Sequence, residues 1–169
     1  MCGPMSTTSL GGSKYFMCLT DGHSKFRRTY FLSSKQQAAD DIANYLQWFK
    51  TQTGKQVRAL RSDGGSEFVN ERTQQMFQTN GIEQQTSNPY TPQQNGIAER
   101  TNRTLVEAAR TMLLASKLPK FLWAEAVNCA THLLNIAGTS NVADKTPLQV
   151  MFNKSARFDN LHVFGETCF

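Results

Sequence analysis

Leu60-Arg61-Ser62-Asp63-Gly64-Gly65 and Thr91-Pro92-Gln93-Gln94-Asn95-Gly96-Ile97-Ala98-Glu99-Arg100 are the two stretches whose reading decides the fold. The first is a short apolar and basic run that breaks at an acid followed by two glycines, which reads as a strand ending in a turn. In the second, a proline and amide loop gives way to a helical pattern with an acid near its start. Between Asp63 and Glu99 lie residues 64–98. Two acids brought together from a strand end and a helix can share a divalent cation. Spacing alone proves little in a chain with 13 Asp and Glu.

Working outward, residues 14–20 form a short apolar run that suits a central strand, and Asp21-Gly22-His23-Ser24 makes the turn after it. Residues 26–32 pair back as a second, antiparallel strand. Ser33-Ser34 offers a helix cap, and Ala38, Ile42, Leu46 and Phe49 recur on one helical face up to a stop at Gly54. Residues 57–61 are the strand that carries Asp63 at its end. A helix over 71–79, with Met76 and Phe77 inward, leads past Gly81 to a brief strand at 82–85.

Residues 87–95 contain Asn88-Pro89 and Thr91-Pro92, and each proline turns its predecessor away from helix, so this is a loop. A long helix follows, over about 94–117. Leu105, Ala109, Met112 and Leu113 make its core face, while Glu99, Arg103, Val106 and Arg110 line another. Pro119 restarts the chain into a helix that runs to about Ile136 and closes at Gly138. Beyond it, Thr146-Pro147 opens a short helix through Met151, and an apolar run at 161–165 ends the chain. No repeat or low-complexity tract interrupts this order.

Composition sets outer bounds. At 169 residues and 19.0 kDa the chain suits one domain, burying roughly 70% of its unfolded surface. Lys and Arg number 18 against 13 acids, for a net charge of +5 and a pI near 9.2, which favours a polyanionic partner. Cys2, Cys18, Cys129 and Cys168 form no Cys-x-x-Cys pair, and His23, His132 and His162 join none of them at zinc spacing. Structural zinc is excluded on that ground, and the cysteines read as small buried hydrophobes of a reducing compartment. No apolar run reaches the ~18 residues of a membrane span. The glycine-rich start lacks a signal-peptide centre, so the expected location is intracellular, in nucleus or cytoplasm.

Arg61-Ser62-Asp63 with Gly65 and Glu67-Phe68, then Thr91-Pro92-Gln93-Gln94-Asn95-Gly96 through Glu99-Arg100 and Asn102-Arg103-Thr104, resembles the integrase core of Ty1/copia-type retrotransposons. The resemblance covers nearly the whole chain. It implies an α/β fold of the ribonuclease-H-like kind, a mixed five-stranded sheet with helices on both faces and the first strand largely missing. It places the core at residues 1–137 and a post-core extension at 138–169.

The same resemblance implies Asp63 and Glu99 as catalytic carboxylates that hold Mg²⁺ or Mn²⁺. Phosphodiester transfer suits two such hard cations about 3.5 to 4 Å apart on oxygen ligands. Without the resemblance, Asp63 would read as a turn-former and Glu99 as a first-turn helix acid favoured by the dipole. Arg100 and Arg103, with Gln93, Gln94 and Asn95 in the loop, are the expected DNA contacts, and Arg110 is a weaker candidate whose alternative is an exposed face answering Glu107. The expected partners are retroelement ends, target DNA and further copies of the chain.

Departures from the family pattern bear on activity. The family uses three acids, the first just upstream of a Cys-Gly-Pro-Met segment, and here Cys2-Gly3-Pro4-Met5 follows Met1 directly. Asp21 is the tempting substitute, although it matches a non-catalytic acid of the family. Gly64 stands where the family usually has Asn. DNA 3′-end processing and strand transfer is therefore the family reaction, and the chain as written is expected not to perform it. A non-catalytic or vestigial nucleic-acid-binding module and a ribonuclease-H-like nuclease are the alternatives.

Overall fold

The computed structural model describes residues 1–86, 92–159 and 161–167, with backbone alone at 92–95. Along the chain run β1 (Tyr15–Thr20), β2 (Arg27–Leu32), α1 (Ala38–Thr53), β3 (Ala59–Ser62), α2 (Glu71–Thr79), β4 (Glu83–Thr86), α3 (Pro92–Ser116), α4 (Trp123–Ala137) and α5 (Pro147–Phe152). Single 3₁₀ turns at Lys35–Gln37 and Lys120–Leu122 lead into α1 and α4. The chain divides into two compact units, Met1–Ser33 with Arg100–Phe169, and Ser34–Glu99.

In the first unit β1 and β2 form the expected antiparallel hairpin, in register from Tyr15 with Leu32 to Thr20 with Arg27. Asp21 N–H donates to Phe26 O at 2.8 Å, and Lys25 turns the chain with φ 61°. The other edge of β1 is met by a single antiparallel bridge between Cys2 and Phe16. Phe16, fully buried, packs with Leu105 and Ala109 of α3 and with Trp123, Ala124, Ala126, Val127 and Ala130 of α4. Met112 and Leu113 lie half-buried against this cluster, so the core face read from periodicity is the face the helix uses. Trp123 Nε1–H, which burial would otherwise strand, donates to Thr7 O at 2.9 Å.

Two tail segments close this unit. Thr146 and Gln149 form a reciprocal capping box on α5, with bonds of 2.8 and 3.3 Å, and Pro147 at its start is buried. Phe152 meets Phe26 edge-on at 5.1 Å, and Asn141 Nδ2–H donates to Gly22 O at 3.0 Å. Residues 138–152 are thus bound to the hairpin turn. Further on, Phe164 packs against the core cluster, while Gly165, at φ 85°, lies so close to α3 that a Cβ there would meet Ser116 Cβ at 2.5 Å. The apolar run at 161–165 is only partly used, since Val163 is 78% exposed.

In the second unit β3 and β4 pair in parallel, Ala59 with Glu83 through Ser62 with Thr86, joined by α2. Leu60, Phe68, Phe77 and Ile82 are buried there, with Ile42, Tyr45 and Phe49 of α1. Tyr45 completes the α1 face that the four-residue spacing had only partly traced. Asn70 caps α2, its Oδ1 accepting from Thr73 N–H at 3.0 Å and Thr73 Oγ1–H at 3.1 Å.

The resemblance implied a five-stranded mixed sheet with its first strand largely missing. Among the described residues the strands make two ladders of two, β1–β2 and β3–β4.

Candidate functional site

β3 ends at Ser62 and delivers Asp63 into a turn tied down on several sides. Phe68 N–H and Val69 N–H both donate to Gly65 O, at 2.9 and 3.1 Å. Asn70 Nδ2–H reaches back to Ser66 O and Glu67 O, at 3.2 and 3.1 Å, and Gln84 Nε2–H of β4 donates to Phe68 O at 2.8 Å. Glu67 folds over Gly65 and pairs with Lys35 at 3.6 Å. The backbone that presents Asp63 is therefore fixed by α2, by β4 and by the segment before α1.

Within that turn Asp63 is half-buried, and its Oδ1 is enclosed with no hydrogen-bond partner among the described residues; Ser62 Oγ beside it is likewise unpartnered among them. A buried carboxylate oxygen without a donor is costly unless a cation answers it. This orphaned oxygen is the feature of the structure that fits a hard divalent ion.

Glu99 is exposed on α3 and lies in the same unit as Asp63. Because α3 begins at Pro92, Glu99 stands well past its first turn, which contains no acid. A helix-dipole role for Glu99 is corrected on that ground, since the effect fades within one turn. Among the described residues no group of three or more His, Cys, Asp or Glu is gathered to hold a metal.

Asp21 is employed otherwise. Its Oδ2 accepts from Ser24 N–H and Ser24 Oγ–H, both at 2.7 Å, and from His23 N–H at 3.2 Å, the pattern of a turn-forming aspartate. Arg100, Arg103 and Arg110 are exposed along α3 and Lys117 just beyond its end, and no ion pair among the described residues engages them. Glu107, on the same face, neutralises none of them. The side chains of Gln93, Gln94 and Asn95 lie outside what the structure describes.

Periodicity could not have revealed two further polar contacts. Asn135, buried in α4, accepts Arg27 N–H at 2.8 Å on its Oδ1 and donates to Arg27 O at 2.7 Å through its Nδ2. It serves the edge of β2 as a strand would. Lys35 and Glu67 are the second case, each unremarkable alone. Burial pushes the thiols of Cys2 and Cys129 up and that of Cys18 up to about 11, as the small-hydrophobe reading requires.

A sequence profile described as integrase core domain matches residues 4–92, just over half of the chain. The chain belongs to the integrase core domain family. Its relatives place this core among Ty1/copia-type retrotransposon polyproteins. It is 38% identical over 165 residues to the retrovirus-related Pol polyprotein from transposon TNT 1-94 of Nicotiana tabacum, covering 98% of this chain and 12% of that protein. It is 30% identical to the corresponding polyprotein of transposon RE1 of Arabidopsis thaliana, over 92% of this chain and 10% of that one. With the Ty1-DR6 Gag-Pol polyprotein of Saccharomyces cerevisiae it shares 32% over 79% of this chain and 8% of that one. The core thus spans about a tenth of the length of these relatives.

Solved structures agree on the fold. The HTLV-2 integrase catalytic core domain in complex with magnesium, in its trimeric form, superposes with a TM-score of 0.60 at 23% identity, over 80% of this chain and 83% of that one. The catalytic core domain of BIV integrase gives 0.61 at 21% identity, over 82% and 85%. The mixed α/β, ribonuclease-H-like architecture expected from the sequence is the architecture of this integrase core.

Proposed function

We propose that this integrase core takes part in metal-dependent processing and joining of retroelement DNA ends, with Asp63 and Glu99 as two of the cation-holding carboxylates. The observation that carries the reading is the buried, unpartnered Oδ1 of Asp63 at the end of β3. A related core described in complex with magnesium supports Mg²⁺, with Mn²⁺ as its substitute. When bound, the cation would supply charge to activate the attacking oxygen and steady the leaving one. The protein's own part is to present Asp63 from a fixed turn and Glu99 from an exposed helical face.

Arg100 and Arg103, exposed and free of ion pairs among the described residues, would answer DNA phosphates beside Glu99, with Arg110 further along. Gln93, Gln94 and Asn95 would add amide contacts to a DNA end. Assembly with further copies is supported by relatives described as an intasome and as a trimer. Residues 1–137 would form the core and 138–169 its extension, acting in nucleus or cytoplasm.

Among the described residues no group of three carboxylates is gathered, and two would hold a hard ion less firmly than three. Asp21 does not make good the difference, since three donors already hold its Oδ2. The lack of a three-membered ligand group among the described residues supports the second reading, a binding module without catalysis. A strand-transfer assay with Mg²⁺ or Mn²⁺ separates these. Joined product above an Asp63→Asn control is the expected result of the catalytic reading, whereas salt-dependent DNA binding that falls with Arg103→Ala, without joined product, is that of the binding module. Hydrolysis without joining would mark a ribonuclease-H-like nuclease.

A further inference from the structure

The turn that carries Asp63 is seated by a buried acid that the cation reading leaves unused. Glu67 has only 9% of its side chain exposed, yet its one ion pair among the described residues is to Lys35, 49% exposed, at 3.6 Å. Its carboxylate lies over the backbone of Gly65, where an added Cβ would stand 2.9 Å from both Cδ and Oε2. Gly65 O is also the acceptor for Phe68 N–H and Val69 N–H, so the glycine on which Glu67 rests is the hinge of the whole turn. Lys35 belongs to the 3₁₀ turn that leads into α1. The ion pair therefore spans from the start of α1 to the turn after β3.

We propose that Glu67, packed on Gly65 and held by Lys35, is a positioning residue for Asp63. This rests on the reading of Asp63 as a cation ligand. Ligand orientation by a neighbouring group tunes metal affinity as strongly as many direct contacts. Three features of the turn fit that role: the acid's side chain is largely enclosed where nothing catalytic needs it, its partner is a surface lysine from another element, and a Cβ at the position two residues before it would displace its carboxylate.

A sign test distinguishes positioning from plain electrostatics. Lys35 carries positive charge, so if charge alone mattered, Lys35→Ala would tighten a divalent cation. If Lys35 acts by seating Glu67, the same change weakens it. Mn²⁺ titration of the full chain, with thermal unfolding of each variant as the folding check, reads the difference.

Lys35→Ala and Gly65→Ala are each expected to weaken Mn²⁺ by about 10-fold. The double variant should be no weaker than either single one, because both changes unseat the same carboxylate. Lys35→Arg should bind as the parent does. Tighter or unchanged Mn²⁺ binding by folded Lys35→Ala overturns the proposal while leaving the Asp63 reading intact. Unchanged binding by Asp63→Asn overturns both.

Discussion

At the scale of single residues, Asp63 is the member of the site whose surroundings say most. A carboxylate oxygen enclosed without a donor destabilises the fold in the absence of a cation. Asp63→Asn should therefore leave the melting temperature unchanged or raise it by about 2–4 °C when divalent ions are chelated, the shift about 1 kcal/mol produces at this size. A fall of that extent would mean the carboxylate is structural. The residue was legible in the sequence because its strand, turn and glycines are adjacent; its missing partner was not, because that depends on what packs around it.

Cys18 makes the other residue-scale case. Burial raises its thiol from the ordinary 9.0 to about 11. The folded state thus holds the proton more tightly than the unfolded chain does. The stability this gives is complete below pH 9 and is lost as pH rises towards 11. Cys18→Ala should flatten the alkaline arm of a stability profile measured by urea unfolding between those values.

Among elements, α3 and α4 follow directly from their patterns. Leu105 and Ala109 are buried as their spacing predicts, Val127 and Ala130 of α4 are buried with them, and α2 occupies its predicted span. Periodicity reports which face is apolar, but not where a polar residue inside such a helix sends its bonds. Asn135 is the instance: no rule of spacing assigns it to the edge of β2. Asn135→Ala removes two bonds to Arg27 and leaves a buried N–H and C=O to be satisfied, at a cost of about 2–4 kcal/mol. Equilibrium unfolding checks this, and a loss under 0.5 kcal/mol, the ordinary scale of a surface change, would show that the amide is replaceable.

For the whole molecule, fold class was readable because strand, helix and strand alternate in order, whereas pairing between distant strands leaves no trace in local pattern. One mixed sheet with its first strand largely missing was expected, and the described strands form two ladders. The docking of residues 138–152 on the hairpin turn was hidden for a similar reason. It rests on Asn141, Met151 and Phe152 meeting Gly22, Ser24 and Phe26, which lie more than a hundred residues earlier.

The account depends on one cation being held by Asp63 and Glu99. The direct measurement is Mn²⁺ broadening of backbone amide resonances in the assigned chain. The account expects early broadening at residues 62–65 and 98–100, lost in an Asp63→Asn, Glu99→Gln double variant. Broadening centred elsewhere, or unaltered in the double variant, would contradict it.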